Sequence, residues 1–246
     1  MKFFEQIRRS FAITKKDLSI YYLKGSVIIQ GLLIPAFVFI SFVFKRDMSL
    51  DSLIPGLLGM ALFFAVSAIT PVIIPWETRM RTFEKLVSSP VYLWAILLGD
   101  IMASVLFGLF VVSFIVLAGT ILLGVEILSF PLIFGIIIAA FCFSSLGTLI
   151  SAPPADKPSD IMLIASLIKF PLIFISGVFI PISEMGQFKI LSFFSPLTYF
   201  TDLARYSIQG VSYFSPVFNL MVLLVFTTVL FFLAVKWHQK SLDKRF

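Results

Sequence analysis

The residues in this chain able to do chemistry are few and widely spaced. There is one histidine, His238, and one cysteine, Cys142. A single histidine, placed in the tail after the last span, nearly excludes histidine-ligated haem, histidine-ligated metal centres and a histidine-activated nucleophile. No His-Glu-x-x-His, Gly-x-Ser-x-Gly or Gly-x-x-x-x-Gly-Lys-Ser/Thr pattern occurs. No cluster of carboxylates inside the apolar runs marks a metal site or a proton relay. Cys142 lies within an apolar run, cannot form an intramolecular disulfide, and reads as packing. Three features remain: Asp100 and Lys169, placed deep in apolar sequence; the charge-dense stretch 76–90; and Asp202 with Arg205 at i, i+3. These residue types pair, dock and gate; none of the spacings makes or breaks covalent bonds.

The elements that must position them are membrane helices. The chain has 246 residues, 59% hydrophobic and only 13% charged, about half the charged fraction of a soluble domain. Its mean hydropathy of +1.06 points the same way. Charge-free runs cover residues 25–44, 52–76, 101–125, 127–155 and 206–235, and a sixth, 161–183, is interrupted only by Lys169. About 20 apolar residues cross a bilayer core as a helix, so the expected fold is all-α and polytopic, with six transmembrane helices in a single transmembrane domain over 1–246. The remaining sequence is too short for a nucleotide-hydrolysing domain. The first run follows a basic stretch and has no small-residue cleavage pattern, so it reads as a retained span.

Six spans put both termini on one side. Lys2, Arg8, Arg9, Lys15, Lys16 and Lys24, then Arg79, Arg81 and Lys85, then Lys157, then Lys236, Lys240, Lys244 and Arg245 share that side, against Lys45, Arg46, Lys189 and Arg205 opposite. The positive-inside rule makes it cytoplasmic, in a multi-pass cell-membrane protein. The net charge of +6 is then explained by topology and anionic inner-leaflet lipid, with no call for nucleic acid.

Within 1–26, Phe4, Ile7, Phe11, Leu18 and Tyr22 recur at helical spacing, which predicts an amphipathic interfacial helix, either a lipid anchor or a lever that touches a partner. In 76–90, Phe83, Leu86 and Val87 share one face of a short helix and Glu77, Arg81 and Glu84 another, as in a docking knob or a loop resting on headgroups. Ser89-Pro90 reads as the cap and first-turn proline of the third span. Asp100 and Lys169 each fall ten residues into a span that starts on the cytoplasmic side, at a shared depth of roughly 15 Å. They either form an intramembrane ion pair or meet the interface separately. Segment 181–215 predicts an outer re-entrant hairpin of two short helices, with Ser195-Pro196 opening the second and Gly210 ending it. Irregular backbone there needs protein or a water-filled cavity around it.

These same residues resemble a known family. Ser176-Gly177, Pro181, Pro196, Asp202 and Arg205 follow the carboxy-terminal signature of type-2 ATP-binding-cassette exporter permeases, the daunorubicin-resistance-like and sodium-extrusion-like membrane subunits. The stretch 77–90 is similar to the family's coupling helix at Glu77, Thr82, Glu84, Leu86 and Pro90, while Thr78, Arg79 and Arg81 stand where Arg, Glu and Gly are common. The resemblance implies a permease with no catalytic residue, no metal and no cofactor of its own, seated on a separate cytoplasmic ATPase that binds ATP and magnesium. It implies a second permease copy, as a homodimer or heterodimer, and surrounding membrane lipid. By transfer, Glu77, Arg79, Arg81, Thr82, Phe83, Glu84 and Leu86 would dock the ATPase, and Pro181, Pro196, Tyr199, Asp202 and Arg205 would form the outer gate. The expected activity is outward movement of a lipophilic or amphiphilic compound. A non-transporting membrane scaffold and a membrane-embedded lipid transferase are the alternatives.

Overall fold

The computed structural model describes residues 3–25, 27–29, 31, 33, 37, 50–123, 129–155 and 157–242. The first expected span, 25–44, lies for the most part outside them. The described residues contain helices and no strand. Helix α1, Phe3–Asp17, runs into one π-helical turn, Leu18–Tyr22. Helices α2, Leu50–Ser67, and α3, Thr70–Arg79, are the two halves of one broken span. The short α4, Thr82–Ser88, precedes α5, Leu93–Leu123, then α6, Phe130–Ile150, and α7, Pro158–Ile175. After two 3-10 turns come α8, Lys189–Ser192, α9, Pro196–Gln209, and α10, Pro216–Ser241. Among the described residues five stretches are long and apolar enough to cross a membrane: Ile54–Arg79, Leu93–Leu117, Phe130–Ile150, Pro158–Ile175 and Pro216–Ser241.

Proline sets most of these boundaries. It occupies the first turn of α6, α7, α9 and α10, where its missing N–H is no loss. The Ser215 hydroxyl also accepts the Phe218 amide at 3.3 Å to cap α10. Pro71 does the opposite inside a span. It has no N–H to return to the Ser67 carbonyl four residues earlier, and the helix breaks at Ala68 and Ile69.

Helix α6 is central and packs against α2, α5, α9 and α10. Phe63 of α2, Phe143 of α6 and Phe200 of α9 meet edge to face at 5.0 and 6.3 Å in the largest apolar cluster. Cys142 is buried there, as packing. Helices α7 and α10 are the least covered of the five, presenting Leu163, Leu167 and Phe174, and Met221, Val225 and Phe232, outward. Such faces suit lipid or another apolar surface. His238, expected in a tail beyond the last span, is instead on α10, buried, with Nε2 3.1 Å from Ser151 Oγ and 3.0 Å from the Thr148 carbonyl.

Two sequence expectations about boundaries change. Ser89 does not cap the third span: α5 begins at Leu93, and the Ser89 hydroxyl donates at 2.6 Å to the Leu86 carbonyl, closing α4. The side chain that tends the start of α5 comes from far away, since Gln6 Oε1 accepts the Tyr92 amide at 2.9 Å. Within 181–215, only α9 is a helix of several turns; Ile182–Glu184, Gly186–Phe188 and α8 are single turns. α9 does start at Pro196 and stop at Gly210, whose φ of +72° suits glycine.

Candidate coupling site

Helix α1 is amphipathic as expected, but its buried side is the polar one. Gln6, Ser10, Thr14 and Asp17, with Ile13, face the protein, while Phe4 and Phe11 point away from it and Phe3, though largely exposed, stacks on Trp94 of α5 at 5.7 Å. The polar row is hydrogen-bonded to the first turns of α5. Ser10 Oγ donates to the Ala95 carbonyl at 2.7 Å, Thr14 Oγ1 to the Gly99 carbonyl at 3.0 Å, and Gln6 Nε2 to the Pro90 carbonyl at 3.3 Å. Gly99 makes this approach possible: a Cβ there would lie 2.7 Å from Ile13 Cβ and 2.8 Å from the Ser10 carbonyl oxygen. The outward aromatic side remains free to enter an interface.

At the end of α1, Lys16 joins three carboxylates. Its ammonium pairs with Glu77 at the foot of α3 and lies 3.0 Å from Asp17 Oδ1. Asp100 of α5 completes the cluster. Asp17, Glu77 and Asp100 are each at most 2% exposed. Burial alone would pull the Lys16 ammonium down, but Asp100, Asp17 and Glu77 together outweigh it and hold the group above the usual lysine value. The cluster therefore ties α1, α3 and α5 at one point.

From that point α3 leads into α4. Met80 and Arg81 make the turn, with Arg81 at φ +56°, the left-handed region that favours glycine. Thr82 Oγ1 donates to the Glu77 carbonyl at 3.2 Å across the turn. Phe83 is fully buried with Ile13, Ile74, Ile96 and Leu97, so α4 is anchored by the same helices that the lysine cluster joins.

The docking residues expected from sequence thus divide. Arg79, Arg81 and Thr82 are exposed and Glu84 and Leu86 half-buried, on a surface able to meet another molecule. Glu77 and Phe83 are turned inward, which is a correction for both: Glu77 is occupied by Lys16 and Phe83 is the anchor. Lys16, Asp17, Gln6, Ser10 and Thr14 were missed. The signal available for them was a row of small polar residues at 6, 10, 14 and 17, one helical face opposite the aromatics.

The structure does not bring Asp100 and Lys169 together. Asp100 belongs to the Lys16 cluster, and the Lys169 ammonium donates instead to the Ser67 carbonyl. The reason is neighbourhood: α7 packs mainly on α3, whereas α5 packs on α1, α2 and α6. Lys16 makes ion pairs with both Glu77 and Asp17.

In the expected outer gate, Asp202 and Arg205 share α9 but form no ion pair. Asp202 accepts the Tyr213 and Phe214 amides at 2.8 and 2.9 Å and the Asn219 side chain at 2.9 Å, fixing the start of α10. Arg205 donates to the Gly177 carbonyl beyond α7. Tyr199 donates to the Phe193 carbonyl at 3.0 Å and stacks on Phe214 at 5.8 Å. Pro196 is buried at the first turn of α9, and Pro181 borders a cavity of about 290 Å³ that Asp202 and Arg205 also line.

The family model of ABC-2 type transporters matches residues 2–209. The chain belongs to that family, and with its apolar helices it is the membrane-embedded permease component of an ABC-type transporter. A comparison with curated proteins finds no match.

Proposed function

We propose that this permease is the membrane half of an ATP-driven exporter, moving a lipophilic or amphiphilic compound outward with force supplied by a separate cytoplasmic ATPase. The observation that carries the reading is the connection of the exposed turn Arg79–Thr82 and α4 to α1, α3 and α5 through Lys16, Glu77 and Phe83. A push on α4 is resisted by a buried anchor, so it is passed to the spans instead of being absorbed by a pliant loop. Arg79, Arg81, Thr82, Glu84 and Leu86 form the ATPase-facing surface. Both termini are cytoplasmic, and a second permease copy stands alongside, with lipid around the pair. Pro181, Pro196, Tyr199, Asp202 and Arg205 brace the outer exit.

The test is co-purification of the permease with its ATPase, followed by reconstitution in liposomes and measurement of hydrolysis and export. Glu84→Arg is expected to leave insertion and Tm intact while export falls severalfold. Export at the normal rate in that variant removes Glu84 from the contact. If no ATPase associates with the permease, the scaffold reading takes its place.

A further inference from the structure

We propose that the cavity between the α2–α3 break and α7 receives the anionic headgroup of the transported amphiphile, with Lys169 as its counter-charge. This rests on the permease reading above and adds to it a substrate class.

The argument starts at Pro71. Because its ring nitrogen cannot donate, the Ser67 carbonyl has no helical partner from that position, and Lys169 of α7 supplies one. Lys169 is 9% exposed, yet its only hydrogen-bond partner among the described residues is that neutral carbonyl. No carboxylate among the described residues pairs with it. An ammonium carries three donors, so two remain. A lone cation in an apolar protein interior within a membrane is costly unless a counter-charge is present, and such residues mark ligand paths.

Space for the counter-charge lies beside it. A cavity of about 160 Å³ is walled by Phe64, Pro71, Val72 and Phe170, with Lys169 and Ser166 among its polar groups. That volume suits a carboxylate or phosphate with its first methylenes. A second, more open groove runs along α7 past Leu163, Leu167 and Phe174, and shares Ser166 and Phe170 with the first. Its walls are almost wholly apolar, which suits an alkyl chain. Head and tail are thus recognised by adjoining surfaces, one cationic and one apolar. A cationic amphiphile would meet repulsion where an anionic one meets its partner.

The test measures binding of radiolabelled dodecyl phosphate to the purified permease in phosphatidylcholine nanodiscs, with dodecanol, dodecyltrimethylammonium and inorganic phosphate as competitors. Dodecyl phosphate is expected to bind most tightly, and Lys169→Gln to weaken it at least about tenfold while dodecanol binding is unchanged. Lys169→Arg, which keeps the charge, should retain most of the affinity. Ala165→Phe leaves Lys169 in place but fills the cavity, and should also abolish tight binding, so a folding defect in Lys169→Gln leaves the proposal testable. Equal binding of dodecyl phosphate by the wild type and either Lys169→Gln or Ala165→Phe would overturn it. So would competition by inorganic phosphate as strong as that by dodecyl phosphate. The measurement needs neither nucleotide nor ATPase, so its failure leaves export by some other cargo open, and a missing ATPase leaves the binding result intact.

Discussion

The ammonium of Lys16 on α1 and the carboxylate of Glu77 at the foot of α3 form an ion pair that bridges 61 positions of sequence. Lys16 is the cation that Asp17, Glu77 and Asp100 share among the described residues, so its loss removes a counter-charge common to all three. Lys16→Ala should therefore destabilise the permease by about 2–3 kcal/mol, less than the ~3–5 of a fully buried pair because part of the lysine reaches solvent. Asp100→Asn added to Lys16→Ala should recover part of the loss, seen as a partial return of Tm. An additive further loss would show that Asp100 does not share the lysine's field.

The same lysine fixes a pH dependence. Its folded-state value is raised, so its stabilisation is fully present below the ordinary lysine value and is lost as pH rises through the higher folded one. The Tm gap between wild type and Lys16→Ala should stay constant up to about pH 10 and narrow only above it. A gap that narrows near neutrality would contradict the cluster.

Gly99 sits at a close approach of α1 and α5. Gly99→Ala places a methyl group 2.7 Å from Ile13 Cβ. The expected cost is about 1–3 kcal/mol, with α1 pushed off its hydrogen bonds to Ala95 and Gly99. Faster proteolysis within α1, with the remaining spans protected, is the readout.

Arg81 holds a left-handed backbone that an arginine adopts at a penalty. Arg81→Gly should raise stability by ~0.5–1 kcal/mol and Arg81→Val should lower it. Opposite shifts in Tm for the two variants are the expected result; two losses would place the side chain's own contacts above its backbone strain.

Asp202 serves two backbone amides and one side-chain amide. Asp202→Ala orphans all three and should cost about 3 kcal/mol or more, whereas Asp202→Asn, keeping one acceptor oxygen, should cost roughly half as much. Equal effects would assign the role to charge alone.

Much of the architecture was legible from apolar run length and proline position, because both act locally: α9 starts at Pro196 and stops at Gly210 as Ser195-Pro196 and Gly210 suggested, whereas the starts of α7 at Pro158 and α10 at Pro216 were not read from the sequence. The exposed rim of the coupling turn was legible as well, through its charge density. What escaped were relationships between distant segments. Depth along a helix suggested Asp100 with Lys169, but two residues at one depth meet only if their helices are neighbours, and α5 and α7 are separated by the packing of α3 and α6. Spacing i, i+3 suggested Asp202 with Arg205, yet each found backbone groups that had no other partner. Of the apolar stripe expected over 1–26, Phe4 and Phe11 are exposed, but Tyr22 is buried against Thr70 and Phe107, and the polar stripe carries the protein contacts of α1.

That inverted arrangement constrains biogenesis. The hydroxyls of Ser10 and Thr14 find their acceptors 85 positions downstream. A ribosome must therefore have released the start of α5 before the amino-terminal segment can reach its final seat, and until then the two hydroxyls have only the carbonyls of Gln6 and Ser10 within α1. Nascent chains stopped short of residue 95 should leave Ser10 open to chemical labelling, once replaced by cysteine, and longer ones should close it.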